Sequence, residues 1–213
     1  MPQEYNEARL FDVMYSCRAM RRLRPDPVPE NLLIQLIDAA NQAPSGSNLQ
    51  GARWVLVRDA AQKAELAKLN YEAVQAYIQP QLASLKDLPQ QSADKRRRMM
   101  NAVLWQADHL QEMPVLIIAC HQFEGPVDRL QAAQAAGSVW PGVQNLLLAA
   151  RALELGAAPT TLGLTRRSEV KRILNLPENV EAYCLIPVGY PKGRFGPVTR
   201  LPVEQTMYWD RWD

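Results

Sequence analysis

Apolar residues along this chain recur mostly at helical spacing, with two short stretches where they run without a break. Leu10, Val13, Met14 and Cys17 are spaced for one buried face and predict a helix over 7–19. That helix must end before Arg24, because a residue preceding proline avoids helical backbone, and Pro25 to Pro29 is then extended. Leu33, Ile34, Ile37 and Ala40 repeat the pattern and predict a second helix over 30–42. Trp54 to Val57 reads as a short strand. Residues 62–88 look helical but weakly patterned, with Pro80 as the expected break. A charged helix follows over 92–112. Val115 to Cys120 is apolar without alternation, the signature of a strand covered on both faces. The longest helical stretch, 128–155, carries Gly137 and Pro141, which predict a kink or restart near Trp140. Gly156 is expected at its C-cap, and Ser168 at the start of a short helix over 168–175. A third strand is expected over 182–189, followed by an irregular tail from Pro191.

Strands that are few and separated by one or more helices point to the α+β class. The expected form is a small mixed sheet wrapped by helices, in a single domain over 1–213. Hydrophobic residues make up 47% of the 213, enough for a true core. A net charge of +2 supplies no global field for nucleic acid. Cys17, Cys120 and Cys184 lie far apart and, with His109 and His121, offer no zinc spacing, so reduced core thiols are expected. The polar N-terminus lacks the order of a signal peptide. The longest clean apolar run, Val115 to Cys120, falls far short of the roughly 20 residues that span a bilayer. A soluble, cytoplasmic protein is the expectation.

Several chemistries lack their motif. No G-x-G-x-x-G follows a strand, no phosphate loop exists, and neither G-x-S-x-G nor H-E-x-x-H occurs. Three segments stand out instead. In the first, Arg18, Arg21 and Arg22 would share one face if helical. Like charges at that spacing cost a helix about 0.2–0.5 kcal/mol per pair, and a dianionic phosphate among them would reverse the sign. A solvated basic helix end is the plainer reading. In the second, Ala43 to Gln50 concentrates small hydroxyls, a glycine and two amides. An amide's paired donor and acceptor match the imide edge of a flavin, although a helix-to-strand turn needs no such role. In the third, Gly156 to Gly163 can aim backbone N–H groups and two hydroxyls at one spot, or serve only as a loop.

Taken in order, these segments resemble the nitroreductase family of flavin mononucleotide (FMN) enzymes. Arg18 to Pro29 is similar to the family's arginine-rich segment ending in Pro-Val-Pro, and Pro44 to Gln50 to its most recognisable motif. Pro141 to Ala150 resembles its dimer-interface helix, Gly156 to Leu162 its flavin-edge loop, Ile186 to Pro191 its last core strand, and Thr199 to Pro202 the arginine before its closing segment. The resemblance spans roughly residues 9 to 212. It implies the nitroreductase fold, a homodimer, and a C-terminal tail embracing the partner. It implies that Arg18, Arg21 or Arg22, and Arg200 hold the FMN phosphate. Pro44, Ser45 and Asn48 would approach the flavin from the neighbouring subunit, and Pro159, Thr160, Thr161 and Leu162 would line its N5 side. Three departures are visible. Cys17 replaces an arginine common in relatives, and Ala19 a serine, so the grip is thinner or recruits Arg22 or Arg24. Gly51-Ala52 replaces the usual Pro-Trp.

What the resemblance implies for activity is hydride transfer from NAD(P)H through flavin N5 to a nitroaromatic, quinone or similar conjugated acceptor by a ping-pong route. No protein acid or base is then required, so no catalytic side chain is assigned. The alternatives are another flavin reaction, reductive dehalogenation or flavin fragmentation, or a non-enzymatic flavin-binding scaffold. Among weaker signals, Lys95 to Arg98 reads as a solvated face. Tyr71, Tyr77 and Trp105 lie in a variable, lid-like segment over about 70–110. Arg166 and Arg167 are candidates for an NADPH phosphate or for a helix start. His109 and His121 read as structural.

Overall fold

The computed structural model describes residues 8–212. Its centre is a four-stranded sheet of order β1-β2-β4-β3, from β1 (Ala52–Val57), β2 (Val115–Gln122), β3 (Gly156–Ala157) and β4 (Val180–Gly189). The α+β class holds, but the sheet expected to be mixed is antiparallel at every pairing. The reason for β1 and β2 is the connection between them. It is a helical hairpin, α3 (Ala60–Ala83) and α4 (Ala93–Asp108), and two helices return the chain to the end of the sheet from which it left.

β2 is buried on both faces, as its unbroken apolar run predicts. Leu116, Ile118 and Cys120 enter one core cluster with Leu66, Leu69 and Leu185, while Val115, Ile117 and Ala119 enter another with Leu33, Leu36 and Leu146. Each valine, leucine or isoleucine among them contributes about 1.5–3 kcal/mol by leaving water. The second cluster is closed by α2 (Glu30–Asn41) and α6 (Trp140–Ala152). These approach so closely at Gly142 that a Cβ there would sit 3.0 Å from the Ala40 carbonyl. On α2, Leu36 is buried where the spacing favoured Ile34, which is 61% exposed.

Several boundaries differ from expectation for identifiable reasons. Pro80 does not break α3, which runs on to Ala83; the proline and Ala76, whose carbonyl loses its donor, are both on the exposed side. The stretch over 128–155 divides near Trp140 as predicted, into α5 (Arg129–Ala135), a 3-10 turn and α6. Asp128 starts α5 with a reciprocal cap to Gln131. Gly156 is not a cap. Glu154 takes the left-handed turn at φ 59°, while Gly156 joins β3, where a Cβ would lie 2.6 Å from Leu23 Cδ2. Ser168 lies inside α7 (Arg167–Leu174) rather than capping it. No helix among the described residues is long and apolar enough to cross a membrane.

The first helix, α1, spans Ala8–Ser16; the expected start at Glu7 lies outside the described residues. It also ends earlier than predicted, and Arg18, Arg21 and Arg22 do not lie on a helix. Beyond Cys17 the backbone turns to the sheet edge: Met20 N donates to Ala157 O (3.1 Å) and Arg24 N to Tyr190 O (2.8 Å). Hydrogen bonds to the sheet thus replace a helical turn that would have stacked like charges. Leu10 and Met14, expected to be buried, are exposed.

Candidate functional site

Arg18 and Arg200, from opposite ends of the chain, line one hollow of about 240 Å³ between the end of α1, α6 and the tail. Cys17, Arg151, Pro159 and Phe195 also line it. Arg21 lies near Arg18 and is half-buried, with no carboxylate partner among the described residues. Burial, and after it the charge of Arg18, draws Arg21 below the usual arginine value. A guanidinium nevertheless stays charged at neutral pH. Partly desolvated like charges without a counter-ion are costly, and an anion between them offsets that cost. The remaining arginines of this segment are engaged otherwise. Arg24 pairs with Asp26 at 3.2 Å and lies over the Tyr190 ring, while the Arg22 carbonyl accepts from Lys192 N and its side chain points to solvent. Of the expected set, Arg18 and Arg200 therefore share the hollow, whereas neither Arg21 nor Arg22 lines it.

The 43–50 loop is built differently. Ser47, Asn48 and Gln50 all adopt positive φ, at 49°, 55° and 50°. Such a run is unfavourable for residues with a Cβ and is held by local bonds. The Ser45 hydroxyl accepts from Gln50 N (2.9 Å), Gly46 N donates to Ser138 Oγ (3.0 Å), and Gln50 Nε2 donates to Asn48 Oδ1 (3.2 Å). Pro44, Ser45 and Asn48 do not line the arginine hollow; this loop presents Pro44, Asn48 and Leu49 outward on a separate surface.

The four residues of the 159–162 segment meet four different surroundings. Pro159 faces the arginine hollow. Thr160 is bridged to Leu185 by two backbone bonds of 2.8 and 2.9 Å, and its hydroxyl donates to Asn70 Oδ1 at 3.3 Å. Thr161 faces an open groove of about 520 Å³ shared with Arg129, Thr165 and Tyr183. Leu162 packs into the α3–α4 cluster beside Val74, Ile78 and Met100. Asn70 was missed by the sequence reading. It is only 2% exposed, and Gly163 passes so close that a Cβ there would sit 2.9 Å from the Asn70 Cα. Its signal was an amide placed among the apolar positions of α3, between Leu69 and Val74. Arg151 was also missed, although it interrupts the otherwise apolar Leu146 to Ala152.

Other candidates have local roles. Arg166 pairs with Glu72 and Glu169, and Arg167 with Glu181, so both guanidiniums are already met by carboxylates. His109 stacks on Trp105, with ring centroids 4.0 Å apart, and Lys192 lies over the same indole. His121 sits against Phe123; burial, then the Arg53 charge, lowers its value. Burial pushes the Cys17 thiol up, against the charge of Arg151, and pushes Cys120 and Cys184 up to about 12, so all three stand as neutral thiols at pH 7. The donor set of the hollow, guanidinium groups with no carboxylate among the described residues that line it, fits a phosphate group.

Comparison with known proteins shows the family and the fold. The sequence pattern of the nitroreductase family matches residues 15–190. The chain is 32% identical over 193 residues to a protein of Thermus thermophilus named NADH dehydrogenase, covering 90% of this chain and 91% of that one. It is 29% identical over 182 residues to an iodotyrosine deiodinase of Thermotoga neapolitana, covering 85% and 88% respectively. Among solved structures, oxidized iodotyrosine deiodinase bound to FMN and 3-iodo-L-tyrosine superposes with a TM-score of 0.74 at 24% identity, covering 95% of this chain and 100% of the other.

Proposed function

From the premise that this chain belongs to the nitroreductase family, we propose that it is a homodimeric FMN-dependent oxidoreductase. It takes hydride from NAD(P)H and reduces a nitroaromatic, quinone or similar conjugated acceptor. The observation that carries this reading is the convergence of Arg18 and Arg200 on one hollow beside Pro159. Bound FMN would supply the two-electron redox chemistry. The protein supplies position and field. Arg18 and Arg200 hold the phosphate, and the half-buried charge of Arg21 raises the potential near Arg18. The Thr160 bridge to Leu185 and the Thr160–Asn70 bond fix the backbone that would line the flavin. The outward loop carrying Pro44, Ser45 and Asn48 reaches the flavin of a second copy. Phe11, Tyr15, Trp209 and Trp212, exposed in a single chain, are covered in the dimer, and the tail wraps the partner. The α3–α4 hairpin covers the acceptor.

The donor follows the name of the Thermus thermophilus relative, NADH dehydrogenase. Purified protein is expected to be yellow, with absorbance bands of oxidised flavin that bleach under nitrogen on adding NADH or NADPH. A colourless protein that FMN cannot reconstitute would overturn the reading. Reductive dehalogenation is the second reading, favoured by the 29% identity to the Thermotoga neapolitana deiodinase. Iodide release from 3-iodo-L-tyrosine by the chemically reduced protein, with slow turnover of quinones, would select it.

A further inference from the structure

The arginine that the family resemblance leads one to expect at position 17 is absent, yet the hollow does not lack a third cation. Arg151 enters it from α6. Its placement is fixed on three sides. Nε donates to Ser16 Oγ at 2.9 Å, Nη1 donates to Glu154 Oε1 at 2.8 Å, and the guanidinium carbon lies 4.3 Å from the centre of the Phe195 ring. A guanidinium has five N–H donors, so these contacts leave three without an acceptor among the described residues. The side chain is 21% exposed, whereas Glu154 is 76% exposed and does not line the hollow. The carboxylate therefore orients Arg151 from outside without occupying the space that an anion would take. Cys17 lines the same hollow, and its Sγ–H is turned to the Leu147 carbonyl at 3.5 Å.

We propose that Arg151 is a third guanidinium of the phosphate subsite, contacting the phosphoryl group alongside Arg18 and Arg200, and that it replaces the cation position 17 no longer supplies. Ser16, Glu154 and Phe195 hold the guanidinium plane in advance, so little side-chain freedom is lost when the anion binds. The inference rests on the flavin reading above, and its test separates the two.

The test compares FMN with riboflavin, which has the same ring and ribityl chain but no phosphate. Both are titrated into the full-length apoprotein, followed by quenching of flavin fluorescence. Arg151→Ala is expected to weaken FMN at least tenfold, or ~1.4 kcal/mol, with riboflavin changed less than twofold. Arg151→Lys, which keeps the charge but not the planar fork, is expected to fall between. Adding Cys17→Arg to Arg151→Ala is expected to restore most of the preference for FMN. Equal weakening of both ligands would make Arg151 a strut between α1, α6 and the tail, and would overturn the proposal. So would FMN binding unchanged by Arg151→Ala. A folded Cys17→Arg/Arg151→Ala protein without restored preference would overturn the replacement. Should that variant fail to fold, the Ala and Lys variants still decide the phosphate contact. A wild-type protein that binds neither flavin would sink the flavin reading itself, an outcome distinct from all of these.

Discussion

Ile117 and Trp209 are both large apolar side chains, yet Ile117 is fully buried at the middle of β2 while Trp209 is 78% exposed in the tail. The contrast extends to charge. Glu181, near the start of β4, is met by Lys171 at 3.2 Å and by Arg167 at 3.7 Å. Arg21, half-buried and close enough to Arg18 to feel its charge, has no carboxylate partner among the described residues. At the sheet, apolar surface is covered and charge is matched within one chain. On the face formed by α1, the hollow and the tail, neither is complete. The proposed dimer and the proposed FMN phosphate would supply the missing parts of this face.

The largest expected effect tests the complete half. Ile117→Ala removes a side chain packed on every side and should cost about 2–5 kcal/mol of stability, read by urea denaturation. That loss should be the same at low and high protein concentration. If it shrinks as protein is diluted, the sheet is not independent of the dimer and the contrast fails.

The incomplete half is tested by charging it. Tyr15→Asp with Trp209→Asp places carboxylates on the open apolar face and should raise the dimer dissociation constant at least a hundredfold, about 2.7 kcal/mol, measured by sedimentation equilibrium. The urea midpoint of the isolated monomer should stay near that of a dilute wild-type sample. A dimer unaffected by both charges would place the interface elsewhere.

The two regions were also unequally legible in the sequence. The middle strand was, because an unbroken apolar run such as Val115 to Cys120 has one cheap solution, burial on both faces. The restart near Trp140 was too, since Gly137 and Pro141 act locally. The α1 boundary was not. Periodicity through Cys17 favoured helix, and only the sheet-edge bonds of Met20 and Arg24, made to residues far along the chain, take the segment out of it. Burial of Leu10 and Met14 was misread for a related reason: an apolar helical face is the same pattern whether it packs on its own core or on a partner. For the candidate site, motifs pointed to the arginines at 18 and 200, which line one hollow, whereas Arg151 and Asn70 sit inside helices whose surroundings look like core.

A smaller effect is expected where the halves meet. Thr160→Val keeps the shape of the bridge to Leu185 but removes the donor to Asn70 Oδ1. Leaving that nearly buried amide short of a partner should cost about 1–3 kcal/mol, read as a lower urea midpoint. If the segment serves the flavin edge as proposed, FMN should also dissociate faster from the variant. An unchanged midpoint would mean the Asn70 amide is satisfied without Thr160.

The smallest effect concerns alkaline pH, and it sharpens the contrast because the two regions should respond differently. Burial pushes Cys120 and Cys184 up to about 12, with the Glu181 charge adding to the rise at Cys120. In the unfolded chain a thiol titrates near 8.5. The folded protein thus holds these protons more tightly, so the contribution to stability is complete below about pH 8.5 and is lost as pH rises toward 12. Tyr183, also raised to about 12 by burial and then by Glu181, adds a second loss from about pH 10 upward. Between pH 8.5 and 10 the decline in melting temperature should therefore be modest and due mainly to thiols. Cys120→Ala with Cys184→Ala should flatten it, whatever the cavities do to the melting temperature at neutral pH. The contacts proposed for the phosphate come from guanidinium groups lining the hollow, not from these sheet thiols. FMN affinity over pH 8.5–10 should therefore stay level while the melting temperature falls. A parallel loss of both would mean that the hollow opens together with the sheet.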